Sequence, residues 1–134
     1  MTKIACLLCV EDDFSNRLVM KLLVEKTLAV GHYAVFEDSS DFLERVRNLP
    51  ARPDIILLDI HVSPFDGFQM LQMLRQDPAY GETKVVALTA SVMNEEVERL
   101  RKSGFDGAIG KPLSLSAFPI LIERILNHES IWQV

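Results

Sequence analysis

Short apolar runs alternate with amphipathic stretches along the chain. Five runs are too short for helices and rich in Val, Leu and Ile, so they are predicted as β-strands. They cover residues 4–10, 33–36, 55–58, 85–88 and, more weakly, 108–109. The third and fourth runs are continuously apolar, as in strands that helices cover on both faces.

The stretches between these runs carry helical periodicity. They predict helices over residues 14–28, 40–48, 67–76, 95–103 and 117–127. In the first helix, Leu18, Leu22 and Leu23 are expected to share the buried face. Asn94 is the predicted N-cap of the fourth helix and Ser116 that of the fifth. Ser116 as the cap places Pro119 in the first helical turn, where its missing N–H costs no hydrogen bond.

This alternation predicts an α/β fold of five βα units, (βα)₅. Right-handed crossovers then place helices on both faces of a parallel five-stranded sheet. We expect one domain over residues 1–127 and a short C-terminal tail over residues 128–134. Trp132 in the tail is expected to dock either on the body of the domain or on a partner, and the sequence leaves both open.

Composition and charge argue against several classes of function. The 134 residues include 14 basic and 19 acidic side chains, for a net charge of −5. This acidic balance argues against a nucleic-acid partner. No apolar run approaches the ~18 residues that span a membrane. The run over residues 4–10 ends in three acidic residues with no small-residue cleavage site, so we predict a buried strand and a cytoplasmic protein.

The two cysteines, Cys6 and Cys9, match a C-x-x-C spacing. Both lie inside an apolar run, whereas a redox motif needs a turn or a helix N-terminus to lower a thiol pKa. On a strand they would face opposite sides, ~10 Å apart, which is too far for a disulfide. We therefore predict that both cysteines pack in the core.

Polar side chains follow four of the five predicted strands. Glu11 and Asp12 follow the first strand, Asp59 the third, Thr89 the fourth and Lys111 the fifth. In a parallel sheet these carboxyl ends share one edge. Each residue alone is typical of a loop, a helix cap or a turn, but their recurrence at four strand ends indicates a site.

The chemistry of this set is consistent with phosphoryl transfer. Neighbouring carboxylates repel one another and raise each other's pKa unless a cation intervenes, and Mg²⁺ favours such oxygen ligands. A carboxylate can accept a phosphoryl group when nearby charges neutralise the phosphoryl oxygens. Asp59 is therefore the candidate nucleophile, Glu11 and Asp12 the metal pair, Lys111 the counter-ion and Thr89 the hydroxyl donor.

Residues 3–127 resemble the receiver domains of two-component response regulators, which include CheY-like and DivK-like proteins. The resemblance rests on Val10-Glu11-Asp12, Asn16-Arg17, residues 53–60, Asp66-Gly67, residues 86–90, Gly104 and Lys111-Pro112. It implies the flavodoxin-like, CheY-like doubly wound sheet with strand order 2-1-3-4-5.

The resemblance also implies a function and partners. Asp59 would accept a phosphoryl group from a sensor histidine kinase or a histidine phosphotransfer protein. Glu11, Asp12, Asp59 and the backbone carbonyl of His61 would bind Mg²⁺, and Thr89 and Lys111 would contact the phosphoryl oxygens. The Lys111–Pro112 bond would be cis.

By the same resemblance, the chain would be a stand-alone phosphoacceptor signalling protein rather than an enzyme. Phosphorylation would shift a two-state equilibrium, with Thr89 moving toward the phosphoryl group and the surface around the fourth helix and fifth strand changing shape. The changed surface would then bind an unknown downstream protein.

Two departures from the family pattern keep other interpretations open. Ala108 stands where the family usually has Tyr or Phe, and the loop over residues 62–67 has its proline one place late. Both would suit a phosphorylation-independent interaction module, against which the intact acidic residues count. A Mg²⁺-dependent phosphohydrolase is disfavoured, because its second acidic residue would fall at His61. We expect the His61 side chain to be a rim residue rather than a metal ligand.

Overall fold

A computed structural model describes residues 3–90 and 93–133. Within them the strands are β1 (Lys3–Val10), β2 (Ala29–Phe36), β3 (Ile55–Asp59), β4 (Lys84–Thr89), β5 (Gly107–Gly110) and β6 (Ile131–Gln133). The helices are α1 (Phe14–Thr27), α2 (Phe42–Arg47), α3 (Gly67–Arg75), α4 (Asn94–Ser103) and α5 (Phe118–Leu126), with a 3₁₀ turn at Pro78–Tyr80. No helix in the described ranges is long and apolar enough to cross a membrane.

The strands form one parallel sheet in the order β2-β1-β3-β4-β5-β6. The predicted doubly wound fold and the order 2-1-3-4-5 are therefore confirmed. The sheet has one strand more than the five predicted, because Ile131–Gln133 of the expected tail pairs with β5. A three-residue strand is too short for its hydrophobic pattern to show in the sequence.

The core lies on both faces of this sheet. One hydrophobic cluster packs α2, α3 and α4 against one face, and a second packs α1 and α5 against the other. β3 is buried along its whole length, which explains its continuous apolar run. Cys6 and Cys9 are buried free thiols, as predicted.

The predicted buried face of α1 is wrong at two positions. Leu18 is 49% exposed and Leu22 is 53% exposed, while Met20, Leu23 and Val24 face the sheet. At 100° per residue, Leu18 and Leu22 lie on the side of the helix opposite Met20. Leu23 was assigned correctly, but it shares its face with Met20 and Val24.

Two predicted N-caps also differ from the structure. Asn94 is the first residue of α4, and Met93 precedes it without a side-chain cap. α5 begins at Phe118, and Ser114 rather than Ser116 accepts the Ala117 N–H, at 3.2 Å. Pro119 still lies in the first turn of α5, as predicted.

Candidate functional site

Three carboxylates meet at the carboxyl ends of β1 and β3. Asp59 is the last residue of β3, and the Glu11 N–H donates to the carbonyl of Phe36, which continues the β1–β2 pairing. One carboxylate oxygen from each of Glu11, Asp12 and Asp59 lies within 4.8 Å of the others. Glu11 and Asp59 are buried and Asp12 is exposed, so the cluster opens to solvent on one side.

Lys111 places a cation between two of these carboxylates. Its ammonium donates to Glu11 Oε1 at 2.8 Å and to Asp59 Oδ2 at 2.9 Å. The Lys111 backbone N–H donates to the Thr89 carbonyl at 2.8 Å, which ties the loop after β5 to the end of β4. The Lys111–Pro112 peptide bond is cis, as expected from the resemblance.

Thr89 ends the strand next to β3, and His61 follows Asp59 by two positions. Thr89 is the buried last residue of β4 and follows Leu88, which pairs with Asp59. The His61 N–H donates to Asp59 Oδ1 at 3.0 Å, while its side chain is exposed. The structure thus brings Glu11, Asp12, Asp59 and Lys111 together, with Thr89 at the adjoining strand end.

The electrostatics of the cluster come from burial and from shared hydrogen bonds. Burial, reinforced by a hydrogen bond to Asp59, raises the pKa of Glu11 to about 7. Burial opposes ionisation of Asp59 too, but hydrogen bonds from Glu11, Lys111 and the His61 N–H outweigh it and lower the pKa of Asp59. Burial alone would lower the pKa of Lys111, but the two carboxylates outweigh it, so that pKa is raised.

This donor set fits a hard divalent cation. Three carboxylates face one ammonium, so the ionised cluster carries an excess of negative charge in a largely buried place. Mg²⁺ binds through a few carboxylates and retains water or phosphate oxygens at its other positions. Glu11, Asp12 and Asp59 are the residues that could hold it.

Arg17 is a contributor that sequence reasoning did not assign. Its guanidinium donates to the backbone carbonyls of Glu11 at 3.1 Å and Asp12 at 2.8 Å. These two bonds hold the acidic turn in place from the first helix. Residue spacing encodes no such side-chain-to-backbone contact, although the Asn16-Arg17 pair belongs to the family resemblance.

Ser39 was also missed, and it fixes the loop after Asp59. Its buried hydroxyl donates to the Phe65 carbonyl at 2.6 Å and accepts the Phe65 N–H at 2.7 Å. A Cβ at Gly67 would lie 3.0 Å from Ile60 Cα and 2.7 Å from Ile60 Cδ1, so any side chain there would force Ile60 to shift. Despite the displaced Pro64, the loop is therefore anchored at both ends.

Comparison with known proteins finds one matching family model and relatives that are about one-third identical in sequence. The family model described as response regulator receiver domain matches residues 7–123. The polar-differentiation response regulator DivK of Brucella ovis is 33% identical over 129 residues, covering 96% of this chain and 97% of DivK. DivK of Brucella anthropi is 32% identical over 120 residues, covering 89% and 91% of the two chains.

Solved structures share the fold. The receiver domain of a Pseudomonas aeruginosa sensor histidine kinase, with magnesium coordinated in its active-site cleft, aligns with a TM-score of 0.78 at 20% identity, covering 92% of this chain and 98% of that one. The chemotaxis response regulator CheY4 of Vibrio cholerae aligns with a TM-score of 0.76 at 23% identity, covering 92% and 99%.

Proposed function

The chain belongs to the family of response regulator receiver domains, and from this premise we propose that Asp59 accepts a phosphoryl group in a Mg²⁺-dependent reaction. Receiver domains are signalling proteins rather than classical enzymes. The phosphorylated and unphosphorylated forms would differ in their affinity for another protein. We place this activity in the cytoplasm, and we assign the receiver unit to residues 1–127.

One observation carries the proposal: the Lys111 ammonium bridges buried Glu11 and Asp59 beside exposed Asp12. A purely structural ion pair would need one carboxylate for one ammonium. Here three carboxylates share one ammonium, so the ionised cluster has an excess of negative charge. It is also accessible to solvent on the side of Asp12. That arrangement suits a group that must receive both a metal ion and a phosphoryl group.

In the proposed reaction, a carboxylate oxygen of Asp59 forms a bond to phosphorus. The N–P bond of the donor phosphohistidine breaks, and its electron pair returns to the imidazole nitrogen. Lys111 neutralises charge on the phosphoryl oxygens, and the Thr89 hydroxyl donates to them from the end of β4. The His61 N–H holds the Asp59 carboxylate in orientation, at 3.0 Å in this structure.

A metal ion would complete this charge balance. We propose that Glu11, Asp12, Asp59 and the backbone carbonyl of His61 hold Mg²⁺. When bound, it would supply positive charge that offsets the carboxylates and the phosphoryl oxygens. The chain's own part is to fix these oxygens, and Arg17 does so through the Glu11 and Asp12 carbonyls.

The proposed phosphoryl donor is a sensor histidine kinase or a histidine phosphotransfer protein, and the proposed target is a further protein. Similarity to DivK supports this assignment at the level of response regulators. An alternative is a phosphorylation-independent interaction module, which Ala108 favours because the family's usual aromatic residue is absent there.

The test is the intact mass of the protein after incubation with acetyl phosphate and Mg²⁺. We expect one added phosphoryl group in the wild type, and none in Asp59→Asn or without metal. Asp54→Asn is the matched control, because Asp54 precedes the opposite end of β3 and accepts backbone N–H groups from Ala5 and Cys6. If acetyl phosphate adds no phosphoryl group at Asp59 and a beryllofluoride mimic also fails to bind there, the alternative module replaces the proposal.

A further inference from the structure

The outer edge of strand β2 is open in the part of the chain that the structure describes. β2 pairs with β1 alone, and it forms one end of the sheet. The Phe36 carbonyl accepts the Glu11 N–H, so Phe36 and every second residue before it face β1. The backbone N–H and C=O groups of the alternate residues, at positions 29, 31, 33 and 35, therefore point away from the sheet, where no described residue binds them.

β2 lacks the features that usually protect an edge strand from further pairing. Natural edge strands are short, or they carry charged residues or proline. The strand at the other end of the sheet, β6, has only three residues. β2 has eight, Ala-Val-Gly-His-Tyr-Ala-Val-Phe, with no proline, lysine, arginine, aspartate or glutamate. Its outer backbone groups are therefore free to pair with another strand.

Charges at the two ends of β2 indicate which strand fits this edge. At the amino end, the exposed Lys3 of β1 lies opposite Ala29. At the carboxyl end, the exposed Glu37 directly follows β2. Within the described ranges neither side chain makes a hydrogen bond or an ion pair. The edge is thus basic at one end and acidic at the other, which is complementary to a second copy of itself running in the opposite direction.

We propose that two copies of the chain pair through β2, antiparallel about a two-fold axis at Tyr33. In an antiparallel pair, the outward-facing residues of the two strands lie opposite one another. The register centred on Tyr33 places Ala29 opposite Glu37 of the second copy, with Lys3 one strand further in. These three side chains project from the same face, and the Cα atoms of Lys3 and Glu37 are then about 10 Å apart, a distance that the two side chains can bridge. The two-fold axis forms this contact twice.

The same pairing covers exposed apolar side chains of α1. Burial, together with the neighbouring Cys9 and Glu25, raises the pKa of the Tyr33 hydroxyl, so the side of α1 that carries Glu25 lies toward β2. Leu18 and Leu22 are exposed on that side, because they precede Glu25 by about two turns and one turn of helix. The two-fold axis is perpendicular to the sheet, so the two α1 helices lie beside each other on one face. The leucines would then contact the second copy instead of water.

Sedimentation velocity of the full-length chain tests the proposal. We expect a reversible equilibrium between monomer and dimer, with a Kd below about 100 µM. The ionic strength is kept low, because salt screens ion pairs between exposed side chains. The protein is unphosphorylated and free of Mg²⁺, so the outcome is independent of the test of Asp59.

Two charge reversals test the antiparallel register. Glu37→Lys would bring two lysines together at each end of the interface, and Lys3→Glu would bring two glutamates together. Each variant alone should therefore dimerise at least roughly tenfold more weakly than the wild type. An equimolar mixture of the two should recover the dimer, because every contact of the mixed pair again joins opposite charges.

Glu82→Lys is the matched control for these variants. It makes the same change of charge as Glu37→Lys, at an exposed position just before β4 rather than beside β2. It should leave the Kd of the dimer unchanged. Far-UV circular dichroism would confirm that each variant is folded.

Ala29→Pro tests the backbone pairing. Proline is tolerated at the first residue of a strand, and Leu28 before it is already extended, with φ −123° and ψ 152°. The substitution removes an outward N–H that would bond to Glu37 of the second copy, once in each copy, so dimerisation should weaken at least roughly fivefold.

Four results would each overturn the proposal. The wild type could remain monomeric at about 1 mM. Either charge reversal could dimerise as tightly as the wild type. The mixture of the two reversals could fail to recover the dimer, or Ala29→Pro could leave the Kd unchanged.

Discussion

Replacing Lys111 with methionine removes the cation of the acidic cluster while keeping a side chain of similar length. The Lys111 side chain is 18% exposed and binds carboxylates that are 2% and 9% exposed. Removing one partner of a buried ion pair destabilises a protein by about 3–5 kcal/mol, because the remaining charge is left uncompensated. We therefore expect Lys111→Met to lower the free energy of unfolding by roughly this amount when no metal is present.

The loss of unfolding free energy caused by Lys111→Met should increase with pH. The folded-state pKa of Glu11, about 7, lies above its ordinary value of 4.5, so Glu11 destabilises the fold increasingly as pH rises from 4.5 to about 7. Lys111 lowers the pKa of Glu11, and its loss extends this destabilisation to higher pH. The cost of Lys111→Met should therefore be larger near pH 8.5 than near pH 6, where Glu11 is protonated in both proteins.

Urea unfolding with a chelator, and again with saturating Mg²⁺, measures these differences. A bound cation replaces part of the missing charge, so Mg²⁺ should stabilise the Lys111→Met variant more than the wild type. Lys102→Met, on the exposed side of α4, is the control and should change stability by less than about 0.5 kcal/mol. A cost below about 1 kcal/mol near pH 8.5, or an equal gain from Mg²⁺ in both proteins, would refute the reasoning.

Three further predictions address the metal site, the loop and the core. The affinity for Mg²⁺, measured by calorimetry, should rise as the pH passes through about 7, because protons compete with the metal for the Glu11 carboxylate. The same affinity should depend less on pH in Glu11→Gln. Gly67→Ala should lower the unfolding free energy by about 1–3 kcal/mol in urea, because its methyl group meets Ile60. In thermal unfolding, Leu23→Ala should cost about 2–5 kcal/mol and exposed Leu18→Ala less than about 0.5 kcal/mol.

The acidic cluster was predictable because it depends on topology more than on side-chain detail. In a parallel sheet, whatever follows each buried run arrives at the same edge. Asp59 and Lys111 meet for this reason, although they are distant in sequence. The pKa of Glu11 was not predictable, because it depends on burial and on the Lys111 and Asp59 hydrogen bonds.

Other features could not be predicted from the sequence, and the reasons are physical. Leu18 and Leu22 resemble core residues by type, but Met20, Leu23 and Val24 form the buried face of α1 and leave the two leucines exposed. Arg17 and Ser39 act through backbone atoms, which no pattern of residue types specifies. β6 depends on a long-range fit between Gly107 and the tail backbone.

The position of β6 changes the interpretation of the small residue at position 108. Ala108 was one of two grounds for a phosphorylation-independent module, because an aromatic side chain is usual there in the family. In this structure an aromatic ring does lie next to that position, supplied from the neighbouring strand by Trp132 and held by Arg101 of α4. A larger side chain at position 108 would compete with Trp132 for the same face of the sheet. The absence of an aromatic residue at position 108 is therefore weak support for the alternative, and the acidic cluster remains the better guide to function.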